Sequence, residues 1–105
     1  MSDALKILGS ALLSTTMAAV YTPAATKTAI VSSFRLVNVT TSTHTCWAAV
    51  GASTYNVIPP ALSLAAGYAY VDSDPITLAT AEAFKAMASS AAAVHCVVFG
   101  IEHTT

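Results

Sequence analysis

Charged residues are scarce in this sequence. Four Lys or Arg and five Asp or Glu make up 9% of its 105 residues, where a soluble domain usually carries about 25%. The net charge of -1, without a basic cluster, excludes a protein that binds nucleic acid by neutralising phosphates. Disorder is excluded because 55% of the residues are hydrophobic. So little charge would leave a monomer poorly soluble, which favours a protein that covers its surface by assembly.

Aromatic residues, glycine and cysteine are also few. Aromatic residues make up 8% of the chain, whereas small side chains dominate, with 22 Ala, 14 Thr and 11 Ser. Four Gly without a Gly-x-x-x-x-Gly-Lys motif exclude a phosphate-binding loop of that kind. The two cysteines, Cys46 and Cys96, are too few for a disulfide framework. Each lies in an apolar run, so we expect buried free thiols, with a cross-strand disulfide as the alternative.

Two long stretches, residues 7–26 and 36–71, carry no charge. The first contains several hydroxyl residues and Pro23, and is too polar for the ~20 apolar residues of a spanning helix. The same hydroxyl residues, together with Asp3, argue against a signal peptide. We therefore expect neither a membrane segment nor a membrane partner.

Turn residues divide the chain into segments of strand length. The clearest strand spans residues 27–40, where Phe34, Leu36 and Asn38 share one face and Arg35, Val37 and Val39 the other. Residues 17–21, 44–50, 68–71 and 94–102 are further predicted strands. This spacing predicts an all-β protein, a small antiparallel β-sandwich of the jelly-roll or immunoglobulin-like kind.

Residues 77–93 do not fit this pattern. The segment is rich in Ala and contains Glu82, Lys85 and Met87, so its propensity favours a helix. Tertiary context often overrides propensity, and the residues alone leave helix and strand both open.

Several short motifs follow one another between residues 18 and 102. They are Tyr21-Thr22-Pro23-Ala24-Ala25, Thr28-Ala29-Ile30-Val31, Leu36-Val37-Asn38-Val39-Thr40, Leu64-Ala65-Ala66-Gly67 and Phe99-Gly100-Ile101-Glu102. Their order resembles that of the small β-sandwich virion proteins of tailed bacteriophages. The resemblance implies that residues 77–93 form strands. It also implies a sandwich domain over residues 17–105, which residues 1–16 precede as an N-terminal arm.

The same resemblance implies a function. We expect a non-enzymatic structural protein of the virion, assembled in the host cytoplasm, that decorates and cements the head. Its expected partners are the major capsid protein or other virion subunits and further copies of itself, in a trimer. A neck, tail or fibre module is the alternative within this class, and a carbohydrate-binding module is the alternative outside it.

No convincing catalytic, cofactor or metal site emerges from the sequence. His44, Cys46, His95 and Cys96 suggest zinc, but neighbouring strand residues point to opposite faces, so His95 and Cys96 cannot share one tetrahedron. A Cys–His pair formed by these residues could serve nucleophilic catalysis, but such neighbours on adjacent strands are more commonly packing contacts. Asp72 and Asp74 could bind calcium, but a solvated turn is the simpler interpretation.

Two further features have structural interpretations beside functional ones. Arg35 either reaches the sheet rim or forms an ion pair between chains, with Glu102 as the candidate partner. The aromatic residues could form a carbohydrate- or base-stacking surface, but we expect them to fill the core and the interfaces. They are Trp47, Tyr55, Tyr68 and Tyr70.

Overall fold

The computed structural model describes residues 5–51, 55–58, 61–73 and 75–104. Within these ranges the chain forms ten strands and no helix, so the predicted all-β class is confirmed. No helix in these ranges is long and apolar enough to cross a membrane. The strands are β1 (Leu5–Leu12), β2 (Ala18–Tyr21), β3 (Lys27–Asn38), β4 (His44–Val50), β5 (Tyr55–Asn56), β6 (Leu62–Leu64), β7 (Ala69–Asp72), β8 (Ile76–Leu78), β9 (Phe84–Ala88) and β10 (Val94–Thr104).

The strands form two antiparallel sheets. The first sheet has the order β1-β10-β3, and β7 and β8 both pair with the far edge of β3. The second has the order β2-β9-β4, and β5 and β6 both pair with β4. The long strands β3 and β10 pair from Lys27 and Thr104 to Asn38 and Val94. This arrangement is the predicted small β-sandwich.

The core lies between the inner faces of the two sheets. Alternate residues of each long strand point inward and are buried, with one shift of this alternation at Ser32 of β3. Bulky side chains dominate on the first sheet, whereas the second sheet combines small residues of β4 and β9 with larger ones, among them Tyr21, Val50 and Leu64. The first sheet contributes Val31, Phe34, Leu36, Val94 and Val98, and the second contributes Cys46, Ala48, Phe84, Ala86 and Ala88. The rings of Phe34 and Phe84 lie 5.0 Å apart between their centroids and join the two layers.

The segment 77–93 belongs to the sandwich and contains no helix. It includes the end of β8 and all of β9, in which Phe84, Ala86 and Ala88 are buried while Lys85 and Met87 are half-buried. Pairing of β9 with both β2 and β4 satisfies its backbone, and burial of every second residue contributes more than the intrinsic preference of alanine for helix. The helix alternative is therefore wrong.

Strand β1 lies where the sequence suggested an N-terminal arm. Residues 5–12 of that segment pair with β10 of the same chain and form one edge of the first sheet. Leu8 packs against the core, and Leu13, just beyond the strand, is buried. The described part of the arm is thus an integral strand of the sandwich.

Asn38 is the one described polar residue in the buried core. Its Nδ2 donates hydrogen bonds to the carbonyl oxygens of Ser42 and Leu64, at 2.7 and 3.0 Å. Its Oδ1 accepts hydrogen bonds from the backbone N–H and the hydroxyl of Thr40, at 2.9 and 2.7 Å. The side chain thereby connects the end of β3 to the following turn and to β6 of the second sheet, with its hydrogen-bonding capacity filled.

Cys46 and Cys96 are free and buried, on the inner faces of different sheets. Burial raises the pKa of the Cys46 thiol to about 11. Burial, with a smaller contribution from nearby Cys46, raises the pKa of Cys96 to about 12. Both side chains are protonated at neutral pH and act as small apolar groups in the core.

The contact between the two phenylalanine rings generates a stability prediction. We expect Phe84→Ala to lower the free energy of unfolding by about 3–5 kcal/mol, because it removes a fully buried ring and leaves a cavity. Urea denaturation followed by circular dichroism measures the change. Val71→Ala, at an exposed position, is the control and should change stability by no more than about 0.5 kcal/mol. Equal effects of the two substitutions would contradict this account of the core.

Candidate interaction surface

The outer face of the first sheet is the side of β1, β10, β3, β7 and β8 that points away from the second sheet. Register and alternation place its residues in four rows that cross the strands. The rows are Leu5–Ile101–Ile30–Thr77, Ile7–Phe99–Ser33, Ser10–Val97–Arg35–Val71 and Leu12–His95–Val37–Ala69. Apolar side chains occur in every row, so the outer face is a continuous, mainly apolar surface.

Large apolar residues are exposed on this face, four of them on the edge strands β1 and β7 and one, Ile30, on β3. Leu5, Ile7, Leu12, Ile30 and Val71 are each between 46% and 67% exposed. The two other large apolar residues exposed in the described part of the chain, Val39 and Tyr68, adjoin β3 and β7 of the same sheet. The first sheet and its immediate ends therefore carry the large exposed apolar residues that the structure describes.

Arg35 lies in the middle of the outer face. Its guanidinium is 5.8 Å from the centre of the Phe99 ring, within the range of a cation–π contact. The three acidic residues that the structure describes lie elsewhere: Asp72 and Glu102 are paired with inward-facing residues, and Glu82 lies in the loop before β9. Within the described residues, the outer face thus carries a formal positive charge and no carboxylate.

A hollow of about 340 Å³ lies at one end of this face. Its lining is mostly apolar and comes from three neighbouring strands. The lining residues are Thr28, Ala29, Ile30, Thr77, Ile101 and His103. An apolar side chain of a partner protein fits such a depression, where a charged one would lose its hydration.

The outer face of the second sheet is different. Trp47 and Met87 are direct cross-strand neighbours there, and both are half-buried. Lys85 lies between Ala19 and Ala49 in the next row. None of the large apolar residues described on this face is among the exposed ones, although the small Ala19 is exposed. The two sides of the sandwich therefore differ in what they offer to a partner.

An ionic cluster closes one end of the sandwich. The Glu102 carboxylate lies 2.6 Å from Lys6 Nζ and 3.8 Å from Lys27 Nζ, and it accepts a hydrogen bond of 2.7 Å from the Tyr21 hydroxyl. The hydrogen bonds from Lys6 and then Tyr21 hold the pKa of Glu102 below its usual value. Burial and the neighbouring carboxylate raise the pKa of Tyr21. These contacts join β1, β3 and β10 of the first sheet to β2 of the second.

The residues considered as zinc ligands are distributed over different surfaces. Cys96 is buried on the inner face of β10, whereas His95 lies on the outer face. His44 contacts Ser89, with 3.4 Å between His44 Nδ1 and Ser89 Oγ. Among the described residues, no three His, Cys, Asp or Glu side chains are grouped so that they could hold a metal ion.

Two further pairs came from the sequence, Arg35 with Glu102 as an ion pair and Asp72 with Asp74 as a calcium site. Glu102 binds two lysines of its own chain at the end of the sandwich, whereas Arg35 lies on the outer face beside Phe99. Asp74, the second residue of the calcium candidate, lies outside the described residues, whereas Asp72 ends β7.

Comparison with known proteins finds no matching protein family, curated protein or solved structure. Sequence reasoning overlooked the outer face because it did not recognise β1 as a strand of the sheet, with alternate side chains pointing outward. The alternation of Leu5, Lys6 and Ile7 was the available signal for it. Nothing local signalled the Glu102 cluster, since Tyr21 and Glu102 are 81 residues apart.

The ionic cluster predicts how stability depends on pH. Because folding lowers the pKa of Glu102, its contribution to stability is present above the ordinary value of 4.5 and is lost as the pH falls through the folded-state value. We expect Glu102→Gln to reduce stability at pH 7 by about 1–3 kcal/mol and to flatten the acid limb of the stability profile. Denaturant midpoints measured from pH 7 to pH 3 test this. Glu82→Gln is the matched control, and an unchanged acid limb in Glu102→Gln would rule the prediction out.

Proposed function

We propose that this chain is a non-enzymatic structural protein of a tailed-bacteriophage particle, which decorates the head and cements its lattice. The proposal rests on two independent supports. The first is the order of turn and strand motifs between residues 18 and 102, which resembles that of small virion sandwiches. The second is the outer face of the first sheet, which is the observation that carries the proposal.

An apolar sheet face of this kind favours binding to another protein. The lateral distance across four strands is about 15–19 Å and the length of β10 is about 33–36 Å, so the face covers roughly 500–700 Å². Apolar patches on ordinary monomers reach about 300–600 Å², and a standard interface buries about 800 Å² per partner. The whole outer face, polar residues included, is thus at most comparable to the largest patches of ordinary monomers and approaches the size of a standard interface.

The mechanism follows from this size. One contact of this area gives modest affinity, because association must offset the loss of translational and rotational freedom. Copies that are linked to one another and meet a repeated lattice bind with far higher avidity than one copy alone. Burial of the outer face across neighbouring capsid subunits then raises the free energy needed to separate them.

Arg35 specifies the chemistry of the partner. Its charge lies within an apolar surface that holds no described carboxylate, and burying it unpaired would be unfavourable. We therefore expect the partner surface to be apolar and to place an Asp or Glu opposite Arg35. Such a charge-assisted pair fixes the orientation in which the decoration protein docks.

A neck, tail or fibre module is the second candidate in the same class. It uses the same kind of surface but occupies a few symmetric rings. A carbohydrate-binding module has less support, because the described aromatic side chains do not form one platform. Trp47 is half-buried on the second sheet, Tyr70 packs near Phe34, and Tyr68 is exposed at one end of the first sheet.

The number of copies in purified virions tests the proposed role. We expect a head decoration protein in tens to hundreds of copies per particle, since it meets a repeated lattice. Quantitative mass spectrometry against the major capsid protein measures this number. A count near six or twelve would favour the neck or tail alternative, and absence from virions would exclude both.

A charge placed on the outer face tests the binding surface. We expect Val71→Lys to weaken binding to particles that lack the protein at least tenfold, because it adds a second positive charge beside Arg35 within an apolar contact. Ser63→Lys is the control, since it places the same charge on an exposed residue of the second sheet. Co-sedimentation with particles measures binding, and circular dichroism verifies that both variants are folded. Equal binding of both variants would contradict the proposed surface.

A further inference from the structure

Strand β1 is the one long edge strand that the structure describes. It spans eight residues, whereas β2 and β7 have four each, β6 and β8 three each and β5 two. The far edge of β3 is covered by two short strands, as is that of β4. Short edge strands give another chain little backbone to pair with, whereas a long edge offers more of its backbone N–H and C=O groups to a further strand.

A β-bulge in the middle of β1 gives this strand an unusual facing pattern. The register with β10 shifts between Ile7 and Gly9, which leaves Leu8 as the extra residue. Leu8 packs against the core, and a Cβ on Gly9 would lie 2.5 Å from the backbone oxygen of Val20 in the second sheet. Two consecutive residues, Leu8 and Gly9, therefore both face inward.

The bulge makes the strand self-complementary. Leu5, Ile7, Ser10 and Leu12 point outward, and the four residues between them point inward. Read from either end, the order of facing is the same: out, in, out, in, in, out, in, out. Two copies of β1 can therefore run antiparallel with every inward residue opposite an inward one, about an axis between Leu8 and Gly9.

We propose that two copies of this chain pair through their β1 edges across a two-fold axis between Leu8 and Gly9. In this register Leu5 lies opposite Leu12 of the second copy, Lys6 opposite Ala11, and Ile7 opposite Ser10. Lys6 meets no like charge, and its own carboxylate partner remains Glu102. The outward-facing pairs, Leu5 with Leu12 and Ile7 with Ser10, bring apolar or small side chains into cross-strand contact.

The pairing joins the two first sheets into one continuous sheet. Its outer face then has twice the area of the single face, roughly 1,000–1,400 Å², with one Arg35 in each half. Because the second copy extends the sheet sideways, it leaves the outer face free. The pairing is inferred from the order of inward and outward residues along β1 alone, and it does not depend on the proposed role in the virion.

Register-specific cross-linking tests the pairing. Residues directly opposite in an antiparallel pair have Cα atoms about 4.5–5.5 Å apart, which suits a disulfide. The variants Ile7→Cys and Ser10→Cys are co-expressed and oxidised, and their products are separated by mass. We expect the mixed dimer, which joins one copy of each variant, at least tenfold above either same-variant dimer, whose equivalent residues would lie about 10 Å apart. The native Cys46 and Cys96 are buried and should contribute little background.

Two results would overturn the proposal. Equal yields of mixed and same-variant dimers would show that the register is wrong. Light scattering that finds the unmodified protein monomeric at micromolar concentration, with no mixed dimer after oxidation, would show that the edge does not pair. A mixed dimer from variants with the circular dichroism spectrum of the parent protein would support it. Since no virion is present, failure here is distinguishable from failure of the decoration role.

Discussion

The packing of the two inner faces against each other is the constraint on which the rest of the structure depends. Phe34 and Leu36 of the first sheet belong to the same buried cluster as Ala48, Ala86 and Ala88 of the second. Small residues on one layer allow the other layer to place large side chains without strain, so the core fills with few aromatic residues. The abundance of alanine, which favours helix when read locally, thus serves a sheet interface.

Because of this packing, the two faces of each strand have different roles. The inward-facing residues of β3 and β10 form the core, and the fold places no comparable requirement on the outward-facing ones. Polar outward residues would serve solubility better than Ile30, Val97 and Val71 do. These apolar residues lie on the outer face of the first sheet, whereas Lys85 and Trp47 on the second sheet are half-buried. An apolar outer face on one sheet alone is consistent with the proposed binding surface.

Sequence reasoning succeeded where period and composition agreed, as in β3, where Phe34 and Leu36 are buried while Arg35 is exposed. It was ambiguous at β9, where local propensity and tertiary burial oppose each other. It was incomplete at β1, because the bulge in that strand breaks the alternation on which strand prediction depends. Sequence reasoning did not predict the ionic cluster, because the contact between Tyr21 and Glu102 exists only once both sheets have formed. Pattern analysis finds residues that repeat along one element, and it has no access to pairs that only the topology brings together.

The few charges of this chain are unevenly distributed over the sandwich, which bears on the proposed assembly. Lys6 and Lys27, two of the four basic residues, are engaged with Glu102 at the end of the sandwich. Arg35 and Lys85 remain, one on the outer side of each sheet. A single cation on a broad apolar face does little to keep that face in water, but it orients a partner that brings a carboxylate. The described ion pairs of this chain thus stabilise the fold at one end, and among the described residues on the outer face of the first sheet the one formal charge is that of Arg35, which the proposed partner would pair.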